Sequence, residues 1–259
     1  MVNSLTEPHA TGFVIGDPDS LVAKAPRGLN RMLIRLLMRP ATIVAAETIG
    51  KGFRLITFEG EALRGIDWRP GQKIQIMMGS AFTARTYTPM EWNAVAGRMC
   101  ILAYGHGDGP GSRWVQQVAP GHSCDLFGPR SSLDTRALAG PLALFGDETS
   151  IGLAYALSYQ DPDRPVSCHI EAADPREAWQ TMAAVGLRDP ALFERQAQDG
   201  HLAEMVAALP ALARAGASFV LTGKAGTVRH LRRALKRHAV SSARIAARTY
   251  WAPGKTGLD

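Results

Sequence analysis

Three scarcities bound what this chain of 259 residues can be. Cysteine is the first: Cys100, Cys124 and Cys168 are odd in number and far apart. A plant-type iron–sulfur cluster needs four thiolates, three of them closely spaced. The chain cannot ligate such a cluster with its own thiols, and free, mostly buried cysteines are expected instead. Long apolar runs are the second scarcity, since none approaches the roughly 20 residues of a membrane span. The N-terminus also lacks the basic-then-apolar pattern of a secretory signal. A cytoplasmic protein without stable membrane insertion is therefore expected, and a monomer is the expected state. The third is acid at the C-terminal end. From Gly223 onward Asp259 is the only carboxylate side chain, against Lys224, Arg229, Arg232, Arg233, Lys236, Arg237, Arg244, Arg248 and Lys255, within a net charge of +6. Such a field attracts anions. A nucleic acid or a small anionic ligand would suit it. A nucleic-acid partner is not expected, because the basic end lacks interleaved aromatics at a recognisable motif. For residues 229–237 the plainer reading is a solvated helix face.

The local pattern changes once along the chain. Residues 1–25 mix Gly, Pro, Asp and Ser without period and read as a flexible segment. Over 28–38, Leu29, Met32, Leu33, Leu36 and Leu37 fall at helical spacing, and Arg27, Arg31, Arg35 and Arg39 recur every four residues. This helix is expected to dock on its own domain; a membrane-surface or substrate-facing helix is the alternative. Six short strands follow, over Ala41–Thr48, Phe53–Phe58, Lys73–Met78, Ala84–Thr88, Met99–Tyr104 and Ser123–Phe127. A turn at Pro70-Gly71-Gln72 and one helix, Ser112–Val118, interrupt them. A small antiparallel β-barrel accounts for this part.

After Leu133 strands and helices alternate. Strands are expected at Leu142–Phe145, Val166–Ala172, Ser218–Thr222 and Ile245–Tyr250, and helices at Ser150–Tyr159, Arg176–Ala184, Leu202–Leu209 and Val228–His238. That is the pattern of an α/β domain with a parallel sheet and crossover helices. The expected organisation is a flexible segment 1–25, a barrel domain with an N-terminal helix over 26–135, and an α/β domain over 136–259. Open parallel sheets bind ligands at the carboxyl ends of their strands, where Gly146-Asp147-Glu148 and Gly223-Lys224 fall.

The densest chemistry lies in Ala84-Arg85-Thr86-Tyr87-Thr88-Pro89 and in His106-Gly107-Asp108-Gly109-Pro110-Gly111-Ser112-Arg113-Trp114. Period-two alternation puts Arg85 and Tyr87 on one face of a strand. The second stretch is a glycine-rich turn opening a helix, whose free N–H groups and dipole suit a pyrophosphate. Gly109 and Gly111 allow close backbone approach, and Ser112 can cap the helix or bond a phosphate oxygen. An aromatic platform, a cation and a phosphate cradle together point to a flavin dinucleotide. Each piece also has a plainer reading: a cross-strand aromatic for Tyr87, a core side chain for Trp114, a strand-end histidine for His106, and a core pair for Tyr250 and Trp251.

Four ordered blocks carry a closer resemblance: His106 to Trp114, Leu126-Phe127-Gly128-Pro129-Arg130, Leu144-Phe145-Gly146-Asp147-Glu148-Thr149, and Tyr250-Trp251. With the Arg-x-Tyr-Thr signature they resemble the siderophore-interacting protein family, FAD-containing ferric-siderophore reductases of the ferredoxin-reductase-like superfamily. The resemblance spans roughly residues 40 to 255. It implies that Arg85 meets the FAD pyrophosphate and that Thr88 lies near flavin N5, with Tyr87 at the ring. It implies that His106, Gly109, Gly111, Ser112 and Trp114 belong to the FAD site and that Tyr250 and Trp251 end the chain near the flavin.

The same resemblance puts the nicotinamide dinucleotide at Gly146, Asp147, Glu148, Thr149, Ser150 and Gly223. This segment is not the Gly-x-Gly-x-x-Gly fingerprint. Thr149, Ser150 and backbone N–H groups are expected to face the phosphate, while Asp147 and Glu148 fix the loop or sit beside the nicotinamide. Acidic residues after the second strand favour a free ribose hydroxyl and Arg a 2′-phosphate. Glu171 and Asp174 compete with Arg176, and the basic end tips the expectation to NADPH, with NADH the alternative.

Lys224, Lys236, Arg237, Arg248 and Lys255 are the candidate docking surface for a ferric siderophore or other iron chelate, with no resident metal. Departures from the family pattern are Pro89-Met90 in place of a hydrophobic residue and Arg, Lys224 in place of Glu, and Ser131 in place of Gly. The implied activity is NAD(P)H-linked reduction of ferric siderophore, releasing Fe(II). The alternatives are a flavin-containing donor to a separate oxygenase or haem protein and a non-catalytic siderophore- or dinucleotide-binding protein.

Overall fold

The computed structural model describes residues 37–78, 84–105 and 107–255. From Arg39 onward the described residues form one compact unit. The expected flexible segment 1–25 and most of the helix expected over 28–38 lie outside the described residues. The end of that helix needs correction. Strand β1 (Met38–Gly50) already includes Met38 and Arg39. Arg39 is no part of a helical stripe: its Nε donates to the Gly128 carbonyl at 2.8 Å and its Nη1 to the Ala62 carbonyl at 3.0 Å. Strand pairing and these two carbonyls override the local four-residue period.

Six more strands complete the first sheet: β2 (Phe53–Glu59), β3 (Lys73–Met77), β4 (Ala84–Tyr87), β5 (Pro89–Asn93), β6 (Arg98–Tyr104) and β7 (Ser123–Arg130). Their order is β4-β3-β7-β1-β2-β6-β5. The two edge strands, β4 and β5, are consecutive in the chain and separated by Thr88 alone. Their facing ends are thus within about 8 Å of one another, whereas a flat seven-stranded sheet holds its edges roughly 29 Å apart. The sheet is therefore rolled into a barrel, and Thr88 sits on the seam. The sequence pattern shows six strands and hides β5. Its leading Pro89 suggests a turn, yet an edge strand accepts proline because no partner needs its N–H.

Alternation fills the barrel. Ile43, Ile56, Phe58, Ile74, Ile76, Ile101 and Leu126 are almost fully buried in one cluster. Each such side chain contributes roughly 1.5–3 kcal/mol by leaving water. Helix α1 (Pro110–Gln117) packs Val115 onto this cluster, joined by Val118 just beyond its end. The helix starts two residues earlier than expected because Pro110 at its first position presets φ.

The second sheet has strands β8 (Leu142–Asp147), β9 (Val166–Ala172), β10 (Ala191–Glu194), β11 (Ser218–Lys224) and β12 (Ile245–Trp251). All are parallel, in the order β10-β9-β8-β11-β12. The four-residue edge strand β10 is an addition to the expected set. Helices α2 (Ile151–Gln160), α3 (Pro175–Ala184), α4 (His201–Arg214) and α5 (Ala225–Arg237) cover the sheet. Strand β8 shows why both faces need cover: Leu142 and Leu144 enter one core cluster with α2 and α3, and Ala143 and Phe145 enter another with α4 and α5. Cys100, Cys124 and Cys168 are free thiols, with Cys168 buried and the other two half-buried.

The first of these clusters also contains Phe53, Met90 and Leu102 from the barrel. This one cluster is thus shared by the two sheets. Gly152 in α2 makes the approach possible, because a Cβ there would lie 3.3 Å from Met90 Cγ and 3.7 Å from the Thr88 carbonyl oxygen. Among the described residues no helix is long and apolar enough to cross a membrane.

Candidate functional site

A cleft of about 510 Å³ runs along the seam between the two sheets. That is within the usual size of small-molecule sites, roughly 300–1,000 Å³. Its walls bring together Arg85, Thr86, Tyr87 and Thr88 from β4 and the barrel seam, Gly109, Gly111 and Ser112 from the start of α1, Thr149 and Gly152 from the start of α2, and Arg248 to Lys255 from the chain end. Lys73, Leu102, Tyr104 and Ser132 complete it, and these four carry no signal in the sequence.

Register explains the β4 wall. Arg85 pairs with Ile76 and Tyr87 with Ile74, so both share the face of those two core residues, and Thr86 opposite Gln75 is on the other face. Tyr87 lies against Trp114, with ring centroids 6.1 Å apart. Burial pushes its hydroxyl pKa up, opposed by the Arg85 charge. Trp114 is half-buried and packs onto the barrel core rather than lining the cleft.

Arg85 crosses over the start of α1. A Cβ on Gly111 would come within 3.2–3.4 Å of the Arg85 side chain, so the missing Cβ is what admits it. The N-cap of α1 is Gly109, and no side chain caps the helix. Ser112 is therefore not the cap; it is buried in the third helical position and lines the cleft. An uncapped helix N-terminus with an arginine laid across it is a place where two phosphates are stabilised by N–H groups and charge. With Tyr87 and Thr88 beside it, the donor set fits FAD. His106 lies outside the described residues.

The carboxyl ends of the parallel strands are organised by buried acids. Asp147 is fully buried and fixes the turn into α2, accepting from the Thr149 N–H at 2.9 Å and from the Thr149 hydroxyl. Its other oxygen accepts from the Lys224 N–H at 2.8 Å and the Trp251 indole at 2.7 Å. Burial, with Glu148 and Glu171 nearby, raises Asp147 to about 6 despite the bonds from Thr149 and Trp251. Ser150 is also fully buried, its hydroxyl accepting from the Thr222 hydroxyl at 2.8 Å. A Cβ on Gly146 would collide with Ser150, and one on Gly223 with Asp147. Within Gly146–Ser150, Thr149 is the residue that reaches the cleft.

Glu148 turns inward to pair with Arg195 and to accept from the Ala173 N–H at 2.8 Å. Glu171 is wholly buried between the His201 Nε2 at 2.6 Å and the Thr227 hydroxyl at 2.8 Å. Because His201 Nδ1 accepts from the Gln196 N–H, Nε2 carries the proton and donates to Glu171. No local pattern points to Arg195, His201 or Thr227, which lie 24–56 residues from Glu171. Both Glu171 oxygens are engaged inside the protein, so it does not present an acid to a ribose. Asp174 caps α3 through one oxygen, and Arg176 is exposed in its first turn.

The five basic candidates separate. Arg248 and Lys255 line the cleft. Lys224 is tied to Asp199 at 2.8 Å. Lys236 and Arg237 are on the exposed face in the last turn of α5 and do not reach the cleft. Across the seam, Thr88 Oγ1 donates to the Tyr250 hydroxyl at 3.4 Å.

A family model described as a siderophore-interacting FAD-binding domain matches residues 79–133, and one described as siderophore-interacting protein matches residues 139–254. No curated protein matches the chain. The fold is shared with the siderophore-interacting protein of Acinetobacter baumannii, with a TM-score of 0.69 and 19% identity over 85% of this chain and 92% of that one. The siderophore-interacting protein SipS of Aeromonas hydrophila gives a TM-score of 0.66 and 22% identity over 85% and 94%. The flavohaem-like FAD/NAD-binding domain of nitric oxide dioxygenase from Vibrio cholerae gives 0.63 and 17% over 83% and 99%. With the barrel, the parallel sheet and the cleft between them, these matches lead to one conclusion: the chain belongs to the siderophore-interacting protein family.

Proposed function

We propose that this protein is an FAD-dependent, NAD(P)H-linked reductase of ferric siderophores, releasing Fe(II) in the cytoplasm. The observation that carries this reading is the single cleft shared by the Arg85–Thr88 strand, the uncapped start of α1 and the basic chain end. Arg85 and the α1 N–H groups would hold the FAD pyrophosphate, and Tyr87 would flank the cofactor. FAD, when bound, supplies the exchange between the two-electron chemistry of a nicotinamide and the one-electron chemistry of ferric iron.

The protein's own part is to bind, orient and exclude water. Thr88 offers a hydroxyl on the barrel seam, and Tyr250 holds that hydroxyl in place. Leu102 and Gly152 keep the adjoining wall apolar and close. Arg248 and Lys255 attract an anionic chelate to the mouth. Iron stays in its chelate as substrate. Fe(II) is softer than Fe(III) and is held less tightly by hard oxygen donors. NADPH is favoured over NADH, because Glu171 is consumed internally while Arg176 stays exposed.

An anaerobic absorbance titration of the FAD-loaded protein tests this. NADPH or NADH is added first and a ferric siderophore second. Bleaching and then recovery of the flavin absorbance, with Fe(II) appearing, is the expected result. Bleaching without transfer to iron indicates a donor to another acceptor. Failure to retain FAD removes the reading.

A further inference from the structure

Strand β12 does not run evenly beside β11. Thr222 pairs with Arg248 and Gly223 with Thr249, but Lys224 pairs with Trp251, so Tyr250 is the extra residue of a bulge. A bulge re-aims a side chain, and here Tyr250 meets Thr88. What holds the bulge is Asp147. Its carboxylate gathers the Lys224 N–H at the end of β11 and the Trp251 indole at the end of β12, and so clamps the two residues that pair beyond the bulge. Gly223, at a φ of +94°, leaves the space: a Cβ there would lie 2.4 Å from Asp147 Oδ2. Asp147 itself has no exposed surface.

We propose that Asp147 is a positioning residue whose charged form clamps Trp251 and thereby keeps Tyr250 on Thr88, closing the nicotinamide side of the cleft until the clamp is released. Four donors converge on the carboxylate: the Thr149 N–H and hydroxyl, the Lys224 N–H and the indole. A protonated carboxyl adds a donor of its own and loses acceptor capacity, so one of the four donors must leave or turn round to accept. The Thr149 hydroxyl on Oδ1 can turn round and accept a proton there, so release follows from a proton on Oδ2, where the Lys224 amide is fixed backbone and the indole is the side chain free to leave.

The groups around Asp147 set its proton affinity. Glu148 and Glu171 raise it, Thr149 and Trp251 lower it, and burial dominates to put it at about 6. Arg195 faces it from the end of β10, neutralised by Glu148, while Tyr104 on β6 and Tyr250 on β12 face it as neutral hydroxyls. The Lys224 ammonium is turned to Asp199.

The nicotinamide half of this inference rests on the proposed function; the clamp does not. The test follows the Trp251 indole N–H resonance of the full-length, FAD-loaded protein from pH 5 to 8, assigned by its loss in Trp251→Phe. A shift with a midpoint near 6 is expected, and Asp147→Asn should stay at the low-pH position throughout. Trp251→Phe should lower KM for NADPH by at least about threefold, with the pH dependence of KM gone. A resonance that does not titrate overturns the clamp. A titrating resonance with KM for NADPH unchanged in Trp251→Phe overturns the gating. If neither nicotinamide reduces the protein but the resonance titrates, the reductase reading fails and the clamp stands. Should Asp147→Asn fail to fold, Trp251→Phe and the wild-type titration still decide.

Discussion

Thr88 and Tyr250 are 162 residues apart in the chain and joined by a hydrogen bond of 3.4 Å. One belongs to the barrel seam and the other to the last strand of the parallel sheet, so the bond spans the two halves that build the cleft. Burial pushes the Tyr250 hydroxyl up to about 12, opposed by the bond from Thr88. It is a neutral hydroxyl at any physiological pH. Thr88→Val keeps the shape and removes the donor. Reduction by NADPH, followed by stopped-flow absorbance, should slow about tenfold while FAD affinity changes little. Equal losses in both would show that Thr88 serves only to hold the cofactor.

Arg85 and Gly111 should separate charge from space. Arg85→Ala removes a charge-assisted contact worth roughly 1.5–3 kcal/mol, so FAD affinity measured by flavin fluorescence should fall on the order of tenfold to a hundredfold. Arg85→Lys keeps the charge without the planar fork and should fall between. Gly111→Ala meets only the flexible Arg85 side chain. It should leave the melting temperature almost unchanged and weaken FAD binding several-fold.

The basic candidates should divide by position. Charge reversal at Arg248 and Lys255, which line the cleft, should raise KM for an anionic ferric chelate roughly tenfold and flatten its salt dependence. The same reversal at Lys236 and Arg237, on the exposed face of α5, should leave that KM within about twofold. Reversals with equal effects would place the docking surface elsewhere.

Stability against pH has two opposing contributors. His169 stacks on Phe145 with centroids 4.4 Å apart, and burial lowers it from 6.5 to about 4. Its contribution is present above pH 6.5 and is lost as pH falls toward 4. Asp147 is raised from 3.8 to about 6. Its contribution is present below 3.8 and lost as pH rises through 6. The two largely offset each other in the wild type. His169→Phe removes one of them, so between pH 7.5 and 4.5 the variant should gain about 2 kcal/mol relative to wild type in urea unfolding. A constant difference across that range would mean that His169 titrates normally.

The fold is legible in the sequence where one rule dominates. Alternating apolar residues announce the inner face of β2 and β3, and the continuous run Leu142–Phe145 announces a strand buried on both faces. Strand β5 is hidden because Pro89 and Asn93 look like turn residues, and only its place on the edge makes them acceptable. Strand β10 is short and partly exposed, so it has little pattern to show. In the site, Arg85, Tyr87, Thr88 and the glycines of α1 are visible because local spacing carries their chemistry. The inward turn of Glu148 and Glu171 is not. A carboxylate at a strand end looks solvent-bound until its partners are known, and Arg195, His201 and Thr227 come from three other parts of the chain.

The rolled sheet has its own consequence. Its seam residue carries the hydroxyl that bonds Tyr250, so the cleft is complete only once the barrel has closed and the parallel sheet has docked against it. A chain whose barrel is still open has no half-built cleft, and a chain whose barrel has closed needs no later adjustment to deliver Thr88. Acquisition of FAD during refolding should therefore follow barrel closure and docking of the parallel sheet without a lag of its own.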